Sequence, residues 1–517
     1  MAKRVEPFIR DQAIAYMKQR FDGDVELLGL RVHFSPYLPL RILFKRPGTL
    51  AQVEGDDLLL RHQGRTDVPP LFKLHRFSFE VDVADLLRSA GTKTINRVNL
   101  DGMEIHIPPK GERPSLRPVS VNPDKDPKPL DVVIGEVLIH STKLVLLPRD
   151  RAKVPLDFDI QDLHLANAGR GQAMKYTAVL TNPRPPGQIH STGSFGPWAV
   201  TEPSDTPLNV EYLFENADLG VFNGIAGILR STGKFEGSLG SITARGEASV
   251  PDFRLKRAGN RVPLSTQFEV LVDGTNGNTE LKPVHATLGT TKFTTTGFVE
   301  KHEGDQRRTI FIDADIPAGN LTDILRLAMP GNPMMAGTVR LKTKIGIPPL
   351  VGKVKEKLQL AGTFDIQNGT FLRSKIQSKL NALSKKAQGK SESEETDQAV
   401  HHMSGEFRMA DEAITFRTYA FEVPGAAVSL AGTYNIKADD LDFHGALMLD
   451  AKMSQTQSGW KRWVLKPVDP FFSKNGAGTF LHIKVVGSSK DPQFGLDRGG
   501  TSPMEEARKK TPPPKGQ

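Results

Sequence analysis

Two stretches of this chain repeat one alternation of apolar and polar positions. They are LQLAGTFDIQNGTF, residues 358–371, and VSLAGTYNIKADDLDF, residues 428–443. A period of two is typical of a β-strand with one buried and one solvated face. The apolar parity of the two stretches holds Leu358, Leu360, Phe364, Ile366, Val428, Leu430, Tyr434 and Ile436. Both stretches are therefore predicted to be strands of an amphipathic sheet.

A glycine lies on the apolar parity of each repeat, two residues before an aromatic side chain. This Gly-x-aromatic signature occurs at Gly193/Phe195, Gly233/Phe235, Gly362/Phe364, Gly405/Phe407, Gly432/Tyr434 and Gly478/Phe480, with a weaker form at Gly337/Val339. Glycine leaves space where neighbours crowd, or permits a bulge or bend in a strand. The irregular spacing argues against a solenoid of identical repeats. We predict an elongated, curved antiparallel sheet whose strands share one construction.

The rest of the pattern divides the chain into five segments. They are an N-terminal amphipathic helix (1–23), an N-terminal β region (24–107), a proline-rich linker (108–129), a repetitive β domain (130–497) and a disordered tail (498–517). The linker and the tail lack apolar periodicity, which is the basis for both predictions. Short helices are also predicted from Gly319 and from Ser374. The fold class is therefore mostly β with a few short helices.

The N-terminal segment carries an apolar stripe at helical spacing. Ile9, Met17 and Phe21 fall on one face, and Pro7 stands where a helix commonly begins. The stripe either packs on the first sheet or lies close to a membrane. A second candidate for a membrane interface is GWKRWVLKPVDPFF (459–472), in which Trp460 and Trp463 have basic neighbours. This stretch fits a cap over the end of the sheet equally well.

The composition limits which structures and partners the chain can have. The chain has 517 residues, 47 glycines, 37 prolines and only 7% aromatics, which favours short strands and turns. The net charge of +9 favours anionic partners, either membrane headgroups or nucleic acid. The absence of cysteine excludes disulfides and thiolate chemistry. No stretch approaches the roughly 20 apolar residues of a membrane span, and the N-terminus lacks the apolar core of a signal peptide.

Motifs for catalysis or metal binding are missing from the sequence. HExxH, GxSxG, P-loop and paired CxxC patterns do not occur. His401 and His402 are adjacent, which suits a polar loop better than a metal site. The pairs Asp157/Asp159 and Asp313/Asp315 are interpreted as solvated strand faces. Basic residues are not interleaved with exposed aromatics as nucleic-acid binding requires. We predict neither enzyme activity nor a cofactor, a metal or a nucleic-acid partner.

A sheet with one apolar face can hide that face in a sandwich or leave it open as a trough. In a trough the face would accept acyl chains, whereas in a sandwich the same residues would form a core. Alternation alone does not separate the two cases. In a trough, the lining would be the eight apolar residues of the two repeats together with Phe195 and Phe235.

Long segments of the chain resemble one known family. They are LDGMEIHIPPK (100–110), LTNPRPPGQIHSTGSFGPW (180–198), ADLGVFNGIAGILRSTGKFEGSLGSITARGEASVPDFRL (217–255), VDGTNGNTELKPVHATLGTTKFTTTG (272–297) and KPVDPFFSKNGAGTFLHIKVVGSSKDPQFGLD (466–497). These segments look like AsmA-family proteins of Gram-negative bacteria, in particular a form familiar from acidobacteria. The likeness covers nearly the whole chain, from the N-terminal helix to about Asp497.

The resemblance implies a member of the repeating β-groove group. Such proteins are anchored in the inner membrane, lie in the periplasm and have a curved sheet that forms a hydrophobic channel for phospholipids. Expected partners are therefore phospholipids, membrane surfaces and envelope proteins. The alternative is a scaffold or assembly factor for outer-membrane proteins, with the apolar face as core. Family members begin with a transmembrane helix, so a trimmed anchor or a late start codon is expected here in preference to a soluble member.

Overall fold

The chain is seen in a computed structural model, which describes most of its strands. The described residues are 23–34, 50–62, 65–82, 93–108, 132–148, 155–168, 172–197, 199, 202–302, 305, 307–372, 401–449, 479–489 and 492–497, with single positions between 6 and 18 and between 377 and 385. Several predictions fall on other residues. Ile9, Phe21, Trp460 and Trp463, nearly all of the predicted linker and the predicted tail lie outside the described residues. Those predictions stay open.

Contacts divide the chain into two compact units. The first unit comprises Met1–Phe222, Ile228–Ala248 and Leu271–Thr275, and the second comprises Asn223–Gly227, Ser249–Val270 and Asn276–Gln517. The two units are described separately below. The five-segment division of the sequence stays a prediction.

The first unit consists of long strands. They are β1 (Gly23–Phe34), β2 (Leu50–His62), β3 (Phe72–Asp82), β4 (Lys93–Ile107), β5 (Val132–Leu146), β6 (Leu156–Ala168), β7 (Met174–Pro183), β8 (Pro186–Phe195), β9 (Pro207–Asp218) and β11 (Ile228–Ser238). Two 3₁₀ turns cover Pro203–Asp205 and Leu219–Val221. Strands β12 (Ser241–Val250) and β14 (Leu264–Val272) include residues of both units. Two short strands of the second unit, β10 (Ile225–Ala226) and β13 (Arg254–Leu255), form a separate two-stranded sheet.

The second unit also consists mainly of strands. Its strands are β15 (Thr279–Leu288), β16 (Thr291–Glu300), β17 (Thr309–Asn320), β18 (Met335–Ile347), β19 (Gln359–Phe371), β20 (His401–Ala410), β21 (Ala413–Val423), β22 (Ala426–Asn435), β23 (Asp440–Leu449), β24 (Thr479–Gly487) and β25 (Pro492–Leu496). Two short helices have bounds within the described residues, α1 (Leu321–Ala328) and α2 (Val354–Lys357), and described positions between 377 and 385 are also helical. Helix α1 confirms the helix that the sequence predicts from Gly319.

Strands that follow one another in sequence pair with one another. In the second unit, β15 to β25 pair antiparallel in chain order. In the first unit the same holds from β1 to β9, except that β4 and β5 are parallel. Twenty-three of the described strands belong to one sheet. The coarse prediction is confirmed, because the chain is mostly β and forms one large open antiparallel sheet.

The parallel pair corrects one part of the prediction. Lys93 lies opposite Val132 and Ile107 lies opposite Leu146, so β5 starts beside the start of β4. Parallel strands cannot be joined by a tight hairpin and need a crossover connection. Strand β5 therefore runs in the same direction as β4 and begins at the same end of the sheet. The sequence shows a connection between β4 and β5 but not the direction of the strand that follows it.

The core of the first unit lies on the apolar parity of its early strands. Leu27, Leu58, Leu74, Val137 and Ile139 are buried in one cluster across β1, β2, β3 and β5. Ile14 and Met17 of the N-terminal segment pack against this cluster. The period of two thus buries one face of the strands, as the pattern predicts.

The described N-terminal positions are helical and bind β1. Arg10 Nη2 donates a hydrogen bond to the carbonyl oxygen of Leu27 (2.8 Å), and the N–H of Val32 donates to Glu6 Oε1 (3.1 Å). Strand β1 pairs with β2, and these side chains satisfy two further backbone groups of β1. Packing on the first sheet is therefore observed for Met17. The amphipathic helix over 1–23 as a whole stays a prediction.

Helix α1 is fastened to the second unit by a buried carboxylate. Asn320 caps the helix, its side chain accepting from Thr322 N–H at 2.9 Å. Asp323 is only 7% exposed and accepts hydrogen bonds from Thr290 N–H (2.8 Å), Thr290 Oγ1 (2.7 Å) and Thr291 Oγ1 (3.2 Å). A buried charge requires partners of this kind. The contacts fix the helix to the turn between β15 and β16.

Two sequence interpretations are wrong in detail. His401 and His402 begin strand β20 and do not form a polar loop, because His401 pairs with Gly369 and His402 with Glu422. The second repeat is not one strand, because β22 ends at Asn435 and a turn leads into β23. The aspartate pairs behave as predicted in β6 and β17, where Asp313 and Asp315 face Lys344 and Lys342.

Candidate functional site

The candidate site is a continuous apolar face on strands β18 to β24. Antiparallel register aligns the inward residues of these strands in four rows. The rows are Val339, Ile366, Met403, Phe421, Val428, Leu447 and Leu481; Leu341, Phe364, Gly405, Tyr419, Leu430, Gly445 and Ile483; Thr343, Gly362, Phe407, Phe416, Gly432, Phe443 and Val485; and Ile345, Leu360, Met409, Ile414, Tyr434 and Leu441. We call this set the apolar face of the second unit. It contains no charged side chain.

Six of the ten predicted lining residues lie on this face. They are Leu360, Phe364, Ile366, Val428, Leu430 and Tyr434. Ile366 and Leu430 are each 9% exposed, and the other four are partly buried. The residues on the opposite parity of the two strands, such as Gln359, Thr363 and Ser429, are exposed. The two repeats therefore present their apolar parities to the same side of one sheet.

The other predicted lining residues lie elsewhere. Leu358 precedes β19 and caps α2, its N–H donating to the Val354 carbonyl oxygen at 2.8 Å. Ile436 lies in the turn after β22, and its N–H donates to the Glu412 carbonyl oxygen at 2.9 Å. Phe195 and Phe235 end up in β8 and β11 of the first unit. Whether any of these ten residues lines a ligand site stays a prediction.

The Gly-x-aromatic signature has a structural explanation in β19 and β20. Their register places Gly362 opposite Phe407 and Gly405 opposite Phe364, so each glycine faces the aromatic residue of the other motif. A Cβ at Gly405 would lie 2.8 Å from the ring of Phe364, and a Cβ at Gly432 would lie 2.9 Å from Phe443 Cγ. Such distances are too short for a side chain. The glycines therefore accommodate the rings of the neighbouring strands against the backbone.

The rings form a connected group across β19 to β23. Phe364 lies 6.4 Å from Phe407, 6.4 Å from Phe416 and 6.2 Å from Tyr419, measured between ring centroids. Phe416 also lies 5.7 Å from Phe443. These separations fall within the range of favourable aromatic pairs. The result is an aromatic surface in the middle of the apolar face.

A bulge brings two of these rings to the same side. Phe416 and Tyr419 are three residues apart, so strict alternation would put them on opposite faces. The β21–β22 register shifts between these two residues, and both then face Gly432 and Leu430 on β22. The sequence interpretation missed both residues for this reason. The recurrence of Phe and Tyr near a Gly-x-Tyr strand is the one signal that points to them.

Helix α1 covers one end of this face. Leu321, Ile324 and Leu325 pack into a cluster that includes Met335 and Val339 in the first part of β18. Among the described elements, α1 is the helix with extensive contacts to strands of this unit, and no two of its strands pack extensively face to face. The aromatic side chains of Phe364, Phe407 and Phe416 remain partly exposed. An apolar surface of this extent commonly marks an interaction site.

Polar atoms on the apolar face are few. Tyr419 Oη donates to Met403 Sδ at 3.8 Å, and burial raises the pKa of Tyr419. Tyr434 Oη donates to Asp439 Oδ1 at 3.1 Å, at the end of the strand. Both hydroxyls therefore form hydrogen bonds within the protein, one with a thioether and one with a carboxylate.

In the first unit, two tyrosine hydroxyls on the apolar parity form hydrogen bonds with serine hydroxyls. Tyr176 lies opposite Gly193 and its hydroxyl is 3.0 Å from Ser191 Oγ. Tyr212 lies opposite Gly233 and its hydroxyl is 3.0 Å from Ser231 Oγ. Burial raises the pKa of both tyrosines. The strands STGSF (191–195) and STGKF (231–235) thus use one construction, in which a tyrosine lies over the glycine and reaches the serine.

The opposite, polar face of the second unit carries ion pairs. His402 Nε2 lies 2.8 Å from Asp365 Oδ2, and His402 Nδ1 lies 3.5 Å from Glu422 Oε2. The hydrogen bond to Asp365 raises the pKa of His402, and the bond from His402 lowers the pKa of Asp365. His444 makes the same kind of pair with Asp497, at 2.8 Å, which raises its pKa. The His402 pairs link β20 to its neighbours β19 and β21, and the His444 pair joins β23 to the residue that follows β25.

A concavity lies on the polar face of the first unit. It has a volume of about 600 Å³ and is lined by side chains from β5 to β9, including Leu138, His140, His164, Val179 and His190. His140 Nδ1 lies 2.7 Å from Asp162 Oδ1, and His164 Nε2 lies 4.0 Å from Glu136 Oε1. In the part of the chain that the structure describes, no group of three or more histidine or acidic side chains could hold a metal ion.

Comparisons with known proteins add no identity. Comparison with known protein families, curated proteins and solved structures found no match to this chain. No helix within the described residues is both long and apolar enough to cross a membrane. The likeness to the AsmA family thus stays a prediction from the sequence.

Proposed function

We propose that this chain is an AsmA-like, non-enzymatic protein that binds the acyl chains of phospholipids on the apolar face of the second unit. The observation that supports the proposal is the four rows of apolar side chains, which α1 covers only at one end within the described residues. Water leaves such a surface favourably when hydrocarbon replaces it. The aromatic group from Phe364 to Phe443 offers rings along which a flexible chain can lie.

The wider proposal follows from the resemblance. The protein would conduct phospholipids between the inner and the outer membrane, lie in the periplasm and be associated with the inner membrane. The regular continuation of the apolar rows over seven strands supports this idea, because a lipid could move along them without crossing a charged side chain. Strands spaced about 4.8 Å apart give those seven strands a width of roughly 30 Å, longer than one acyl chain.

The test is lipid retention by the purified chain and by charged variants. The protein is prepared without detergent, examined by native mass spectrometry and extracted for lipid analysis. Leu360→Asp and Leu430→Asp place a charge in two of the rows, and we expect each to abolish most lipid binding because a carboxylate is costly to bury beside hydrocarbon. Several phospholipids bound per parent chain would support the proposal.

The matched controls are Thr363→Asp and Ser429→Asp. These residues lie on the same strands as the test residues but on the exposed polar parity. The controls should retain lipid at the level of the parent protein. If the Leu360 and Leu430 variants fold and bind as much lipid as the controls, the apolar face does not bind lipid. A ligand-free, well-folded parent protein would instead favour the alternative, a scaffold for envelope proteins in which this face is a core.

A further inference from the structure

We propose that the loop between β18 and β19, residues 348–358, docks the second unit onto the surface of a bilayer that contains anionic lipids. The loop has the sequence PPLVGKVKEKL. Three of its apolar side chains are exposed, Leu350 at 60%, Val351 at 66% and Val354 at 39%. This surface is separate from the apolar face described above.

The exposure is not a requirement of the fold. A hairpin connection needs turn residues, which Pro348, Pro349 and Gly352 supply, and polar residues at 350 and 351 would connect the strands equally well. Gly352 has φ +123°, a conformation that favours glycine. Two adjacent, large apolar side chains at a loop tip instead indicate a surface that is buried when the protein meets a partner.

The loop holds these side chains in a defined arrangement. Lys357 Nζ donates to the carbonyl oxygen of Leu350 at 2.5 Å, and Leu358 N–H donates to the carbonyl oxygen of Val354 at 2.8 Å. Lys353 N–H donates to Glu356 Oε2 at 3.3 Å, and Glu356 N–H donates to the Lys353 carbonyl oxygen at 3.1 Å. Helix α2 is thereby closed onto the tip. Little ordering is required when the loop binds, which favours association.

The positive charge of the loop favours an anionic partner. The loop contains three lysines and one glutamate, and Lys353 is exposed directly beside the apolar tip. Apolar side chains that enter the acyl boundary, with lysines at the level of anionic headgroups, are a common arrangement for peripheral membrane binding. A protein partner would fit the apolar tip but offers no general reason for the lysines. A second copy of this chain would bring like charges together.

The direct test uses a single cysteine as an environmental probe. The chain has no cysteine, so Leu350→Cys can be labelled uniquely with a nitrobenzoxadiazole fluorophore. Leu372→Cys is the matched control, because Leu372 is 57% exposed directly after the opposite end of β19. With vesicles of phosphatidylcholine and phosphatidylglycerol, the label at 350 should brighten and shift to the blue. The label at 372 should not change.

Binding is then measured by vesicle flotation of the full chain. We expect the double variant Leu350→Ser/Val351→Ser to bind at least about tenfold more weakly, since partial burial of two such side chains contributes a factor of this size. Lys353→Glu should weaken binding only when phosphatidylglycerol is present, and Leu372→Ser should bind like the parent. Equal emission changes at 350 and 372, or unchanged flotation of the double variant, would overturn the proposal.

The outcome is independent of the proposed lipid-binding face. Leu360→Asp removes lipid from the apolar face but leaves the loop intact, so the emission change at 350 should persist in that background. Conversely, the loop variants should still contain extractable lipid after purification. An emission change that depends on protein concentration and occurs without vesicles would assign the loop to contacts between copies and refute docking to a bilayer.

Discussion

The close approach at Gly432 gives a stability prediction of definite size. A Cβ at this position would overlap the carbonyl oxygen of Asp442 and would lie 2.6 Å from Phe443 Cα. Both obstacles are backbone atoms of β23, so Gly432→Ala can be accommodated only if the two strands move apart. Overpacking of this kind typically costs about 1–3 kcal/mol. For a unit of this size, each kcal/mol corresponds to about 2–4 °C in Tm, so the variant should melt about 2–12 °C lower.

The matched control is Gly346→Ala in β18. The nearest atom to a Cβ there is Gln359 Cβ at 3.7 Å, an ordinary contact. Alanine should then stabilise the fold by about 0.4–1 kcal/mol, because it restricts the unfolded chain. Thermal unfolding followed by far-ultraviolet circular dichroism measures both variants. If Gly432→Ala melts at or above the temperature of Gly346→Ala, the backbones of β22 and β23 do not approach as closely at Gly432 as described.

Two further predictions concern polar groups of the second unit. Asp323→Ala should destabilise the second unit by about 1–3 kcal/mol, because it removes the acceptor of Thr290 N–H and of the hydroxyl of Thr291, which is 1% exposed. A Tm equal to that of the parent would contradict the anchoring role of Asp323. The hydrogen bond to Asp365 raises the pKa of His402 above its ordinary 6.5. The contribution of the His402–Asp365 pair to folding stability is therefore complete below pH 6.5 and is lost as the pH rises through the raised pKa. On the acid side the contribution is lost as the pH falls through the lowered pKa of Asp365. The Tm difference between parent and His402→Gln should therefore be largest near pH 5 to 6, at about the middle of this window, and a difference that does not change up to about pH 9 would argue against the pair.

The paired glycines and rings also explain why the chain repeats a strand. Gly362-x-Phe364 and Gly405-x-Phe407 run antiparallel and exchange partners, so one short pattern satisfies both strands. Gly432 continues the series with Phe416 on one side and Phe443 on the other. Further strands with the same Gly-x-aromatic signature can extend the sheet, because each new glycine accommodates the ring of its neighbour. The loops between the copies are then free to differ, which accounts for the irregular spacing of the signature.

Some features were accessible from sequence because they depend on neighbouring residues alone. The backbone pleat sends successive side chains to opposite sides, so the parity of Leu360, Phe364 and Leu430 predicts which of them share a face within each strand. Helix α1 was predictable for the same reason, since its cap and its apolar spacing lie within ten residues. The glycines on the apolar parity predicted either crowding or, as the favoured interpretation, curvature of the sheet, and the structure shows crowding at Gly405 and Gly432.

Other features required the tertiary structure because they depend on which strand lies beside which. Register, the bulge that unites Phe416 with Tyr419, and the inclusion of His401 in β20 are set by hydrogen bonds to residues distant in sequence. The parallel pairing of β4 with β5 is likewise a property of the partner strand. The sequence by itself determined the amphipathic character of each strand. Only the assembled sheet decided which apolar residues meet, and that α1 covers one end of them, because burial arises between elements and not within them.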